Sequence, residues 1–255
     1  MSKTANGRMF AQIIMGMMFF FLAREVKATP TNIYAVPLVL SAKIYSLTGD
    51  KKLLFTFRRT ITQTNANVVS LREFKTPDGT LAAREVVRYV SNRFVSYELN
   101  EPMRTARGRI FADGRQKQLN FSYTESGTPT RTAAEPLQPD TMIADMIGPF
   151  LNAHWDALMH GDSVKFRFAV MNRQETIGFK FTKDSETTRY GQPVVRVKMS
   201  ATSVVYSPFV DPLYFTVAKN APHRVLDYTG ETTPRIIVGG QWKDVVALTV
   251  FDWEK

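Results

Sequence analysis

The chain has 255 residues, no cysteine, three histidines and a formal net charge of +10. Without cysteine there is no disulfide framework, no thiol nucleophile and no thiolate metal site, so packing alone must hold the fold. The basic surplus points to anionic partners.

The N-terminus is built like an export signal. Lys3 and Arg8 precede an apolar run from Met9 to Ala23, broken only by Gln12 and Gly16, and Arg24-Glu25-Val26-Lys27-Ala28 restores polarity. Val26 and Ala28 occupy the −3 and −1 places of a cleavage site. Fifteen helical residues rise about 22 Å, short of the ~30 Å hydrocarbon core. Residues 1–28 are therefore predicted to be a cleavable signal peptide, with an uncleaved anchor as the alternative. The run holds no lipobox cysteine, and no later run approaches the ~20 apolar residues of a membrane span. The expected destination is the periplasm of a Gram-negative bacterium, where residues 29–255 act as a single β-rich domain.

Residues 29–255 carry 29 basic against 22 acidic side chains, and residues 51–120 alone carry 14 against 6. The surplus thus lies in one stretch, suited to lipid head groups, lipopolysaccharide or acidic polymers. Nucleic acid is a poor match for an exported protein. Arg58, Arg84, Arg88, Arg107 and Arg109 are the candidate head-group residues. The alternative is a set of solvated strand faces.

Alternation of apolar and polar residues dominates from about residue 50. Thr76-Pro77-Asp78-Gly79 separates strands near 68–75 and 81–90, and Asp113-Gly114 separates 107–112 from 115–124. Residues 125–139, rich in Thr, Gly and Pro, read as a long loop. A helix follows at 140–160, with Asp140 as N-cap, Gly161 as stop and a kink at Gly148-Pro149. Leu151, His154, Trp155, Leu158 and Met159 form its apolar stripe, and Asn152, Asp156 and His160 its polar face. Alternation resumes at Val164, Phe166 and Phe168, then at Ile177, Phe179 and Phe181, then at Val195, Val197 and Met199. Gly239-Gly240 is read as the turn of the last hairpin, before Val245 to Trp253.

This pattern predicts a mainly β fold of about ten to twelve strands. A curved antiparallel sheet or half-open β-barrel would pack on one helix, kinked or straight. Phe55-Thr56-Phe57 before Val86-Val87-Arg88 is echoed by Phe166-Arg167-Phe168 before Val194-Val195-Arg196. The echo leaves open two similar β halves, about 50–124 and 163–253.

Chemistry is sparse. His154 and His160, six apart, lie about 240° apart around a helix and cannot chelate one metal together. Asp156 and His160 are the candidate acid/base pair of a hydrolase. No Gly-x-Ser-x-Gly elbow, phosphate loop or dinucleotide fingerprint occurs, so neither a cofactor nor a metal is expected. Met146, Phe150, Trp155, Met159, Phe166, Phe168, Phe179 and Phe181 would either line a soft apolar cavity or form an ordinary core.

The stretch from Trp155 to Val170, the turn Thr76-Pro77-Asp78-Gly79 and Val225-Leu226-Asp227-Tyr228-Thr229-Gly230 resemble a group of uncharacterised exported bacterial proteins. That resemblance implies no activity and no functional residues. In layout, the chain is also similar to the open barrels of the periplasmic lipoprotein carriers. That likeness implies a curved sheet lidded by helices and holding acyl chains.

Three functions are open. The leading one is a non-enzymatic periplasmic binding module for a lipid or anionic amphiphile, with apolar contacts from helix and sheet and a basic head-group site. The second is an envelope structural or interaction protein with a filled core and a protein partner. The third is a hydrolase acting through residues near Asp156 and His160.

Overall fold

Side-chain alternation with period two builds this chain into sheet, because successive residues face opposite sides of a strand. The computed structural model describes Tyr34, residues 37–203 and residues 211–253. The expected signal peptide, residues 1–28, lies outside the described residues.

Two meanders follow one another. In the first, β1 (Val39–Ser46), β2 (Leu53–Thr64), β3 (Asn67–Lys75), β4 (Leu81–Val90), β5 (Arg93–Glu101), β6 (Ala106–Asp113), β7 (Gln118–Thr124) and β8 (Arg131–Pro136) each pair with the next. A crossing segment then carries β9 (Thr141–Met142), a 3-10 turn (Ala144–Met146), α1 (Ile147–Ala153) and α2 (Trp155–His160). The second meander is β10 (Val164–Val170), β11 (Glu175–Arg189), β12 (Gln192–Ala201), β13 (Leu213–Ala218) and β14 (Val225–Glu231). A separate hairpin, β15 (Ile236–Val238) with β16 (Gln241–Lys243), precedes β17 (Val246–Asp252). Strand β17 pairs with both β1 and β14 and so joins the meanders into one fifteen-stranded sheet. The two-residue β9–β10 pair is parallel, and the other described pairs are antiparallel.

A twisted sheet of this width curls. Here its two ends meet. The Thr176 N–H on β11 donates to the Glu135 carboxylate of β8 at 3.1 Å, and the Thr176 hydroxyl does so at 2.7 Å. Arg131 on β8 donates to the Asn172 carbonyl at 3.0 Å. The product is the curved, half-open barrel that the alternation implies, with a seam held by side chains instead of a backbone ladder.

The helices pack on the inward side of the second meander. Leu151, Trp155 and Leu158 are buried among Phe166, Phe179, Phe181, Val197 and Phe215, while Asn152, Asp156 and His160 are exposed. Their boundaries differ from the sequence expectation. Asp140 does not cap a helix. Its carbonyl accepts the Arg167 N–H at 3.1 Å beside the β9–β10 pair, and regular helix starts only at Ile147. The break falls at His154 (φ −113°, ψ 17°), not at Gly148-Pro149. Pro149 sits in the first turn of α1, where a missing N–H forfeits no helical bond. Gly161 does end α2, at φ +93°, with its N–H on the Leu158 carbonyl.

Seventeen strands form among the described residues, against the ten to twelve expected. The surplus is short and polar. Arg131–Pro136, inside the expected loop, has no large apolar side chain and becomes β8 by pairing with β7. Gly239-Gly240 turns the small β15–β16 hairpin instead of leading into the last strand.

Candidate functional site

One inward row of the first meander is polar. Arg59, Arg72, Glu85, Leu99, Gly108 and Tyr123 face one another across β2 to β7. Into this row the 3-10 turn lowers Asp145. Its carboxylate accepts from Arg59 Nε at 2.9 Å, Ser70 Oγ at 3.1 Å and Tyr89 Oη at 2.8 Å, with Arg72 Nε 3.8 Å away. Burial pushes the Asp145 carboxyl up, but Arg59, Arg72 and the hydrogen bond from Tyr89 outweigh it and hold the group below its ordinary range. Tyr34 stacks on Tyr89 with ring centres 4.0 Å apart, and its carbonyl takes a second Arg59 bond at 2.7 Å.

The polar row continues through Glu85. Arg72 Nη1 lies 2.5 Å from its Oε2, while Tyr97 and Thr233 donate to its Oε1 at 2.9 and 2.7 Å. The Arg72 guanidinium also lies 5.4 Å from the Phe57 ring and 5.9 Å from the Phe74 ring. Farther along, buried Glu101 takes Arg104 Nη1 at 2.6 Å, and Arg104 also donates to Tyr123 and Glu125. Burial dominates at Glu101 and raises its carboxyl to about 7 despite Arg104. Two guanidiniums, Arg59 and Arg72, thus balance two carboxylates, Asp145 and Glu85. Paired in this way, the groups clasp chain segments together. The clasp fastens the crossing segment and the Thr233 arm into the first meander.

Sequence reasoning missed this cluster, although the signal was present. Arg59 has the parity of Phe55, Phe57 and Ile61, Arg72 that of Val68 and Phe74, and Glu85 that of Ala83, Val87 and Tyr89. A charge on an apolar stripe has to find an internal partner.

The eight apolar candidates come together, facing inward in the second meander. Met146, Phe150, Trp155 and Met159 on the crossing segment meet Phe166, Phe168, Phe179 and Phe181 on β10 and β11. Phe150 lies 5.4 Å from Phe166 and 6.1 Å from Phe181, ring centre to ring centre, and Phe166 lies 4.7 Å from Phe181. Trp155 stacks on His223 at 4.1 Å. These side chains pack on one another along the inward side of the second meander.

The five candidate arginines come together elsewhere, on the outward face of the first meander. Arg58, Glu73, Arg84, Asn100 and Arg107 form one cross-strand row over β2 to β6. Val86, Glu98 and Arg109 form the next row, and Arg88, Ser96 and Phe111 a third. All five arginines are exposed. Arg84 donates to Glu73 at 2.7 and 3.0 Å, and Arg109 lies 3.8 Å from Glu98. Arg58, Arg88 and Arg107 have no ion pair among the described residues. A groove of about 520 Å³ runs over Arg84, Val86, Glu98, Asn100, Arg107 and Arg109. With Lys75 and Arg93, the outward positions of β2–β6 hold seven basic side chains against Glu73, Glu98 and Asp113. A membrane-spanning barrel has the opposite arrangement, with an apolar band outside.

Asp156 and His160 stand exposed on α2, and no hydrogen bond or ion pair joins them among the described residues. No three His, Asp or Glu side chains gather as a metal site among the described residues. No described helix is long and apolar enough to cross a membrane.

No family model and no curated protein matches the chain. Solved structures similar to it include the following two. One is a β-barrel-like protein of a domain of unknown function, DUF1849, from Brucella abortus, at TM-score 0.47 and 10% identity over 86% of this chain and 99% of that one. The other is a porin-like protein from Bacteroides uniformis, at TM-score 0.24 and 9% identity over 85% of this chain and 97% of that one. Both are distant.

Proposed function

We propose that this chain is a non-enzymatic binding module of the bacterial envelope, exported to the periplasm, that engages an anionic amphiphile on its outside. The observation that carries this reading is the convergence of Arg58, Arg84, Arg88, Arg107 and Arg109 on one outward face, with three of them lacking an ion-pair partner among the described residues. The apolar and basic candidates, read from sequence as halves of one site, occupy opposite sides of the sheet and different meanders. An acyl chain buried among Phe166, Phe179 and Phe181 would have to displace side chains that already pack on one another. The head group is therefore the recognised part, and the groove beside Arg84 and Arg107 is its seat.

The test is flotation with vesicles of phosphatidylcholine, with and without phosphatidylglycerol. Binding should need the anionic lipid and weaken as salt rises. Replacing Arg84 and Arg107 with serine should reduce it severalfold. Equal binding to both vesicles, or to neither, would defeat the proposal. The mutual packing of the inward aromatics favours a second reading, an interaction protein of the envelope with a filled core and an acidic protein partner. A stable partner without any vesicle binding would support that one.

A further inference from the structure

The outward face of β4–β6 is not uniformly charged. Val90, Val95 and Phe111 are 41%, 37% and 38% exposed, high values for large apolar side chains. They lie at one end of the face. Val90 pairs with Arg93 across the β4–β5 hairpin, Val95 sits in the bulge that follows, and Phe111 pairs with Ser96 on the next strand. The hairpin turn is two residues long, Ser91 and Asn92, both at positive φ (49° and 61°). Such a turn is tight and leaves the flanking valines at the tip.

Cations flank this apolar end, and Asp113, the next outward residue after Phe111 on β6, accepts the Arg115 and Gln116 N–H groups. Arg88 shares the row of Phe111, Arg93 faces Val90, and the Arg109 guanidinium lies 5.2 Å from the Phe111 ring. An apolar patch framed by arginine is chemically matched to the boundary of an anionic bilayer. The guanidiniums reach phosphates while the apolar groups leave water for the upper acyl region. Three adjacent strands span only about 10 Å, so even a convex sheet can lay this strip on a flat surface.

We infer that Val90, Val95 and Phe111 enter the head-group layer of an anionic lipid bilayer, with Arg88, Arg93 and Arg109 on the phosphates around them. This rests on the outward-face reading above and adds insertion to it. The occupant is the bilayer surface, because Arg88, Arg93 and Arg109 flank the apolar end, its own cross-strand row holds no acid, and the neighbouring Asp113 carboxylate is taken up by backbone N–H groups.

The chain has no cysteine, so one introduced thiol labels one place. Val95→Cys and Phe111→Cys, each carrying an environment-sensitive nitrobenzoxadiazole dye, are mixed with phosphatidylglycerol vesicles. Thr188→Cys, exposed on β11, is the reference. Insertion predicts a severalfold rise in emission at 95 and 111, quenching by spin-labelled lipid, and no change at 188. Phe111→Ser should weaken vesicle binding about fivefold with its salt dependence unaltered. Full vesicle binding with dyes at 95 and 111 behaving like that at 188 would overturn insertion and leave the head-group reading standing. Absence of vesicle binding would remove both.

Discussion

Gly108 on β6 lies against Met171: a Cβ on Gly108 would overlap the Met171 sulfur and stand 2.7 Å from its Cγ. Met171 follows β10, at the start of the β10–β11 turn, and is buried with Val87, Ile110, Leu119 and Tyr123 of the first meander. The missing side chain at Gly108 therefore admits a residue from the far end of the sheet, and the barrel closes around that contact.

Gly108→Ala should destabilise the protein by about 1–3 kcal/mol through overpacking. Met171→Ala should cost about 2–5 kcal/mol through the cavity it leaves. The double variant should cost clearly less than the two together, because alanine at 108 partly fills the space that methionine vacates. Urea unfolding of the four proteins measures this. Strict additivity would mean that the two residues do not meet.

Asp145→Asn should lower stability by about 3 kcal/mol at neutral pH, since it takes from buried Arg59 the carboxylate it pairs with and leaves Arg72 with Glu85 alone. The pH dependence follows from the direction of the shift. The folded carboxyl lies below its unfolded value, so its contribution is present above the unfolded pKa and is lost as pH falls through the folded one. The variant should lose less stability than the parent on acidification. Parallel acid titrations, followed by tryptophan fluorescence, would contradict this.

Glu101 has the opposite sign. Its carboxyl titrates near 7 in the folded protein against 4.5 ordinarily, so the native state binds the proton more tightly than the unfolded chain. Its contribution is present below the unfolded pKa and is lost between about 4.5 and about 7 as pH rises. Glu101→Gln should therefore gain on the parent by up to about 3 kcal/mol between pH 4.5 and 8. Arg104 keeps Glu125 in the variant, so the fold should survive the change. A difference in stability that stays constant with pH would show that Glu101 is already ionised at pH 5.

The same residues explain how far the sequence could be read. Alternation at Leu119, Phe121 and Tyr123, or at Val164, Phe166 and Phe168, reports a half-buried strand directly, and a curved sheet follows from the number of such runs. Strand β8 was illegible because Thr132-Ala133-Ala134 has no apolar alternation, and only the neighbouring β7 makes it a strand. The helix break was misplaced because proline is harmless in a first turn, whereas His154 leaves helical geometry with its ring nitrogen 2.9 Å from the Phe150 carbonyl. The polar clasp needed parity read for charged residues as well as apolar ones. The grouping of the arginines on one face was implicit in that same parity. Their separation from the aromatic layer was not, because register across fifteen strands decides which stretches share a side.

The aromatic layer yields the last prediction. Phe181 is fully buried among Phe150, Phe166 and Phe215. Phe181→Ala should cost about 3–5 kcal/mol and leave an apolar void. Such a void takes up apolar guests, whereas a filled layer does not. The parent protein should therefore leave the emission of the apolar dye N-phenyl-1-naphthylamine unchanged, and the Phe181→Ala protein, if still folded by circular dichroism, should bind it saturably. Phe166→Leu, a smaller truncation, provides a second variant should the first unfold. Saturable uptake by the parent, displaced by a fatty acid, would place the ligand inside the barrel and return the acyl-chain site to the second meander.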